Sequence, residues 1–506
     1  MKKIICTIIL GLLLSTKLLA QDGTLDISFD GDGLTMRSVG GSWYGATSWA
    51  TITPSDKIIS TSYTSSGIQH VAIVYSFNGN GTVNSGFGTN GQMSISNFEP
   101  TGISCRNQNK IIVFGNSDVN GVGSATGKAT LFCLDSTGNY VNTFGINGKL
   151  ILDNTYSFIT EIKITASGDI ICMLYNATEK YLMKVLSNGT IDNTFGVNSK
   201  YILGTMPNNY LSFKLDIDNS NRIFFYQAKI TFDSTRIKCL LPSGLIDLSF
   251  GVNGEIYLNL NSVYSPSGYK ILGNKIFTIA LNSTNTLARL KKYNLNGALD
   301  LTFGANGLKD INWNSSLGVS DIMTQPDGKI LLGGTLYNSS TSNSYFSLLR
   351  LKQNGDIDST MGNFGYVSTS FAQNGDQVTS LLMQSNNKPL LAGYTKGSNT
   401  VGGLNEYFFS AARYNITTTT GIEDLSSSDN LVNIYPNPNK GTFNILQYKA
   451  SKTEIEIFDI LGELVYKTKT SNQKTIIDLG ELTKGTYTLR ATCDNINVTT
   501  KKIIIE

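Results

Sequence analysis

The residue types that carry covalent or metal chemistry are thinly spread in this sequence. Among 506 residues there is one histidine, His70, which excludes every site needing two imidazoles, the HExxH zinc helix included. A Ser-His-Asp or Cys-His enzyme would have to be built on that residue, yet His70 opens the run HVAIVYSF and reads as an ordinary strand-edge side chain. Setting aside Cys6, the cysteines are Cys105, Cys133, Cys172, Cys239 and Cys493. They are odd in number and widely spaced, unlike a disulfide framework. Cys133 in TLFCLD and Cys239 in RIKCLL read as buried strand residues rather than reactive thiols. GVGSATGKAT (121–130) has the flavour of a phosphate loop, but its glycine spacing is wrong and Ala129 stands where a hydroxyl is needed. Asp26, Asp30 and Asp32 in LDISFDGDG could offer calcium hard oxygen ligands. Their spacing is not that of an EF-hand loop, and turn capping is the simpler reading. No cofactor is expected. Carboxylates gathered in a central channel from distant parts of the chain are the chemistry that remains, and the sequence names no such pair.

The elements that would position these residues are strands. Charged residues are 15% of the chain, against 50 glycines, 24 tyrosines and 23 phenylalanines, a composition suited to short buried strands joined by tight turns rather than to disorder. Residues 1–20 have a basic start, an apolar run from Ile4 to Leu14, and Ala20 before Gln21, the pattern of a secretory signal cleaved between those two. The apolar run is about eleven residues, too short for a bilayer core that needs roughly twenty, and no later stretch is expected to form a transmembrane helix in the mature protein. The formal charge of +3 comes from Lys2, Lys3 and Lys17, so the mature chain holds 37 basic and 37 acidic residues. Nothing in that balance points to nucleic acid.

Internal repetition dominates the remainder. A turn phrase typified by NGALDLTFGANG occurs seven times, each with a glycine followed six residues later by Phe or Met. These anchors are Phe29, Phe87, Phe144, Phe195, Phe250, Phe303 and Met361, spaced 58, 57, 51, 55, 53 and 58 apart. A second phrase, best seen as PDGKILLGG (326–334), lies about thirty residues ahead of each anchor from the second onward, and a third, YFSLLRLKQNG (345–355), runs into the turn. Each unit therefore reads as four strands of about fifty residues in all, the make-up of a propeller blade. The first turn phrase has no strands ahead of it, while the seventh unit stops at Asn415 without its turn phrase. The two fragments complement each other, which predicts a seven-bladed β-propeller over residues 21–415 closed by its own N-terminal segment. An open solenoid would instead carry polar caps at both ends. These phrases resemble the delta-60 repeat family. The arginine that this family places five residues before the turn glycine is kept at Arg350 and Arg413, becomes lysine at Lys184 and Lys292, and is replaced by Ser76, Cys133 and Cys239, which argues for a structural role rather than a catalytic one.

Residues 416–430 (ITTTTGIEDLSSSDN) read as a linker, and composition then shifts: residues 431–506 hold 10 basic and 8 acidic residues, 24% against 14% for residues 21–430. Alternation in TEIEIFDI and GTYTLRA predicts strands with one wet face and hence a small immunoglobulin-like β-sandwich. IYPNPNKGTFNI, IEIFDILGELVYK, IDLGELTKGTYTLRA and the terminal KKIIIE resemble, in order and spacing, the type A sorting domain of the type IX secretion system. The family motif maps to Pro436, Asn437, Pro438, Gly441, Gly462, Gly485 and Tyr487. The prolines are expected to fix an extended approach to the first strand and the glycines tight turns. The resemblance implies a Bacteroidetes-type source and as partners the type IX secretion machinery and its sorting protease. It further implies export to the outer-membrane surface or the medium, with attachment to surface lipopolysaccharide as one fate.

The expected whole is all-β: a signal peptide (1–20), a seven-bladed propeller (21–415), a linker (416–430) and a sorting domain (431–506). The function it suggests is non-catalytic binding of an extracellular glycan, protein or surface component by loops at one end of the ring. The alternative is a secreted carbohydrate-active or other hydrolytic enzyme using channel carboxylates.

Overall fold

The computed structural model describes residues 21–506 apart from 43–46, 66–69, 107–108, 118–126, 206–209, 230–234, 259–263, 313–315, 372–374, 402–403, 418–431, 448–451, 461, 481 and 494–496. The signal segment, most of the linker and most of the loop that resembles a phosphate loop lie outside the described residues. Two compact units result, 1–417 and 418–506.

The first unit is seven four-stranded antiparallel sheets. In each blade the first strand is innermost. These seven strands are Ser48–Ile52, Phe98–Cys105, Ser157–Ile164, Tyr210–Ile217, Tyr264–Leu272, Ser316–Thr324 and Asp376–Met383, and each touches the next around the ring, the last returning to the first. The second and third strands of a blade are the repeated apolar phrases. Ile111–Ser117, for example, is buried along its whole length, as expected of a sheet sandwiched between neighbours. In blade 7 the outer strand is Leu34–Ser42, paired antiparallel with Leu404–Arg413 (Leu34 opposite Ala412, Ser42 opposite Asn405). The N-terminal segment thus completes the last blade, and further contacts tie it down. Gly23 N donates to Asn415 O (2.7 Å) and Asp26 N to Arg413 O (2.9 Å).

All seven anchors are at most 2% exposed, and what they pack against explains the six-residue spacing. Six of the seven lie beneath the turn glycine of the following blade; next to Phe250, the corresponding Gly297 meets Ile256 and Gly251 instead. A Cβ on Gly355 would sit 2.8 Å from the Phe303 ring, one on Gly189 2.8 Å from Phe144, and one on Gly23 3.0 Å from the Met361 side chain. These glycines have φ of +90°, +82° and +86°, a region that L residues enter at a cost. The residue after each anchor also donates its N–H across the same seam, as in Gly304 to Asn354 O (2.7 Å), Gly196 to Ser243 O (2.8 Å) and Gly362 to Asp22 O (2.8 Å). The repeat is therefore a chain of interlocks between blades, and the first phrase is both the last blade's end and the seventh interlock.

The second unit is two sheets. One is formed by Val432–Tyr435, Thr442–Gln447 and Lys474–Asp478, the other by Leu464–Thr470, Thr453–Phe458, Gly485–Cys493 and Asn497–Ile505. Phe443, Ile445, Ile455, Ile457, Leu489 and Ile503 fill the space between them, the inward half of each alternating pattern.

Candidate functional site

The two ends of the ring differ. At one end the hairpins joining first to second strand are five residues long in six of seven blades (for example 325–329), and the turn phrases joining third to fourth strand within the chain's first six blades span 13 to 15 residues. At the other end the connections from second to third strand vary from two residues (177–178, 402–403) to ten (118–127). Uniform turns serve the interlocks. Variable loops on a fixed scaffold are where binding residues accumulate.

At the uniform end, the turn aspartates are engaged in structural pairs. Asp358 Oδ1 accepts from Thr360 N and Oγ1, and its Oδ2 faces Arg350 Nε (2.8 Å) and Lys329 Nζ (3.4 Å). Asp26 repeats this with Ser28, Arg413 (2.7 Å) and Lys388 (2.7 Å), Asp300 with Thr302, Lys275 and Lys292, and Asp192 with Thr194 and Lys184. In the blade of Cys239 the cation is supplied instead by Arg222, 3.2 Å from Asp247, and where Ser76 replaces arginine the aspartate is replaced by the neutral Asn84, whose amide donates to the serine hydroxyl. The repeated arginine is thus one half of an ion pair. The structure does not bring Asp26, Asp30 and Asp32 onto one point: Asp26 turns in to its cations, while Asp32 caps Leu34 N. Among the described residues no group of three or more His, Cys, Asp or Glu is placed to hold a metal.

The channel is the other candidate. A cavity of about 530 Å³ runs along the inner strands, bordered by Trp49, Thr101, Glu161, Lys163, Lys214, Lys270, Asp321 and Ser380 among others. Strand register puts Trp49, Gly102, Glu161, Lys214, Gly268, Asp321 and Ser380 at one level around the axis, with Lys163, Asp216 and Lys270 one pleat beyond. Lys163 Nζ lies 3.5 Å from both Glu161 and Asp216, so carboxylates from two blades sit no more than roughly 7 Å apart across one ammonium. Lys270 binds Asp321 at 2.9 Å. Backbone donors complete the network: Leu215 N to Glu161 (2.8 Å), Ile271 N to Asp216 (2.7 Å) and Ile322 N to Asp321 (2.9 Å). Burial works against the charge on Lys163, but Asp216, Glu161 and Asp321 outweigh it and raise its ammonium above the ordinary value. Lys214 is exposed and has no ion-pair partner among the described residues.

His70 is buried at the start of its strand, 3.9 Å from Glu99 and stacked 6.2 Å from Tyr63, with no serine or cysteine among the described residues hydrogen-bonded to it. Cys105, Cys133, Cys172 and Cys239 are free thiols, and burial pushes Cys105 and Cys133 up to about 11. The inner strand carries no repeated phrase, so the channel charges leave no periodic signal in the sequence.

In the second unit Pro436, Asn437 and Pro438 form an exposed loop between the strands Val432–Tyr435 and Thr442–Gln447. Asn437 brackets the terminal strand, donating to Lys502 O (2.7 Å) and accepting from Ile504 N (2.8 Å). Gly441 (φ +96°) leaves no room for a side chain, since its Cβ would lie 2.8 Å from Gly480 Cα. Gly462 closes the turn begun at Asp459, Gly485 begins a strand, and Tyr487 is buried with its hydroxyl donating to Thr483 O (2.7 Å).

Residues 433–506 match the family described as secretion system C-terminal sorting domain, and residues 325–360 match the domain of unknown function (DUF5122) beta-propeller. The chain is a type IX-secreted β-propeller. The sorting domain directs export to the cell surface or beyond it and engages the secretion machinery. No helix among the described residues is long and apolar enough to cross a membrane. Ulvan lyase NLR42 of Nonlabens ulvanivorans is 32% identical over 95 residues, which is 19% of this chain, and the chain spans 18% of that relative's length. Among solved structures, polysaccharide lyase Uly1 is similar with a TM-score of 0.42 at 10% identity, covering 74% of this chain and 90% of that one. The beta-propeller domain of the Trilobed protease from Pyrococcus furiosus is similar with a TM-score of 0.38 at 7% identity, covering 75% and 98%.

Proposed function

We propose that the ring is a non-catalytic binding module for an extracellular glycan, which enters the channel from the end with variable loops. One observation carries the reading: a half-buried tryptophan, Trp49, borders the cavity at the same level as the unpaired Lys214. An aromatic face stacks on sugar rings, and the ammonium and nearby hydroxyls supply hydrogen bonds. The other channel charges neutralise one another, and each carboxylate is bound by ammonium and amide donors, the arrangement of a structural network. A general acid instead needs its proton turned to a leaving group.

Affinity electrophoresis of the mature chain through gels containing soluble polysaccharides tests this. Retardation by at least one polysaccharide, lost in Trp49→Ala and Lys214→Ala, is expected. Equal migration of wild type and both variants on every polysaccharide overturns it.

The alternative, a carbohydrate-active enzyme, is favoured by the closeness of Glu161 and Asp216 and by the resemblance to an ulvan lyase. That resemblance, at 95 residues, is shorter than two blades and does not span a ring. Release of new chain ends that stops in both Glu161→Gln and Asp216→Asn would establish it.

A further inference from the structure

One seam of the ring lacks its ion pair. In five blades the turn position three after the glycine is an aspartate held by arginine or lysine. In blade 2 it is Val141, and the arginine position is Cys133. The lysine of the second phrase is nevertheless kept: Lys110 occupies the place from which Lys329, Lys388 and Lys275 reach their aspartates. A second cation has been added. Arg106, at the head of the same hairpin, is 7% exposed; its Nη2 donates to Ser187 O of blade 3 (3.0 Å), and Nε and Nη1 have no hydrogen-bond acceptor. Neither Arg106 nor Lys110 has an ion-pair partner among the described residues, and the two residues between them outside that set, 107–108, are Asn and Gln. Cys133 is no substitute for the acid. Burial pushes its thiol up to about 11, although Arg106 and Lys110 pull the other way.

Around these groups lies a cavity of about 250 Å³ bordered by Arg106, Lys110, Cys133, Val141, Thr143 and Asn188, roughly the volume of eight waters. The seam itself is loosened here. Gly145 N to Asn188 O is 3.4 Å, against 2.7 to 2.9 Å for the corresponding bond at the other seams. Asp135, the acid whose charge also acts on Cys133, is taken up by Thr137 and Asn139 rather than by either cation. A buried guanidinium without a paired counter-charge is costly, and two adjacent cations with no acid paired to either form an incomplete site.

We infer that the pocket between blades 2 and 3 binds a doubly charged tetrahedral oxyanion, sulfate or a phosphate of the same shape, which supplies the negative charge that aspartate supplies in the other blades. Arg106 and Lys110 carry the charge recognition, and Thr143 is a hydroxyl donor at the pocket wall. The ligand is either the free ion or that group as a substituent of a saccharide. The site lies at the uniform end of the ring, so it stands or falls independently of glycan binding in the channel.

Isothermal titration calorimetry of the mature chain with sodium sulfate, at constant ionic strength made up with chloride, tests it. One saturable site is expected, weakened roughly 10- to 100-fold in Arg106→Gln and in Lys110→Gln, as for loss of a charged hydrogen bond. Val141→Asp is the decisive variant. It installs the carboxylate that the other blades carry, is expected to fold, and should abolish binding by filling the site from within. Fluorescence of the ring tryptophans checks that each variant is folded. A parallel titration with a monosaccharide sulfate separates the sources: comparable binding assigns a glycan substituent, and binding of inorganic sulfate alone assigns the free ion. No saturable binding by the wild type, or binding unchanged in Val141→Asp, overturns the inference.

Discussion

Arg350 is the most demanding side chain in the ring. It is fully buried, with Nη1 2.6 Å from Asp22 Oδ2, Nε 2.8 Å from Asp358 Oδ2 and Nη2 2.9 Å from Thr360 Oγ1. It thereby joins blade 6 to the N-terminal segment that closes blade 7. Arg350→Ala strands two carboxylates whose side chains are only 10% and 3% exposed, and breaking such a buried pair costs about 3 to 5 kcal/mol. Lys309 is the internal comparison. Its partner Asp356 is 58% exposed, so Lys309→Ala should cost about 0.2 to 1 kcal/mol. Trp43, Trp49 and Trp313 all lie in the ring sequence and none in the sorting domain, so urea unfolding followed by tryptophan fluorescence reports the ring alone. Arg350→Lys, which keeps the charge but not the fork, should fall between. A loss for Arg350→Ala no larger than for Lys309→Ala would refute the view that this pair locks the closure.

Gly355→Ala must place a methyl 2.8 Å from the Phe303 ring at φ +90°, and overpacking of this kind costs about 1 to 3 kcal/mol. Gly318→Ala meets nothing within 4 Å and should stay within about 0.5 kcal/mol; the same unfolding assay compares them. Stability should also fall in acid. Burial opposes ionisation at Asp26, Asp300 and Asp358, but their hydroxyl and cation partners outweigh it, and at Asp192 and Asp247 the hydroxyls of Thr194 and Ser249 lead, so all five sit below the ordinary carboxylate value. A depressed acid stabilises fully above its unfolded value of about 3.9, and that contribution is lost as pH falls through the folded values; thermal midpoints from pH 7 to 2 should drop below about pH 4, less steeply in Asp300→Asn. Deleting residues 431–506 should leave the propeller inside the outer membrane, read by fractionation and immunoblot. Its undiminished appearance outside the cell would contradict the role of the sorting domain.

The blades and their closure were legible because the second and third strands are apolar runs bounded by glycine, and because the two end fragments complement each other. The partners of those signals were not. The glycine and the phenylalanine six residues on are neighbours in sequence, yet each binds a different blade, so their spacing reads as one turn when it encodes two seams. Glu161, Lys163, Asp216, Lys270 and Asp321 lie on inner strands whose outward-facing residues pack but whose channel-facing residues differ from blade to blade, leaving no repeat to detect. The Arg106 pocket did leave a trace: Val141 and Cys133 both break the turn phrase while Lys110 persists in NQNKIIVFG, and a lysine retained without its acid is a readable signal.

The claim that the ring binds without cleaving is tested most directly by incubating the purified mature chain with each polysaccharide that retards it in a gel, then measuring the polymer's size distribution and new reducing or unsaturated ends. The account predicts an unchanged polymer together with retardation that depends on Trp49. Shortening of the polymer by the wild type, absent in Glu161→Gln, would contradict it.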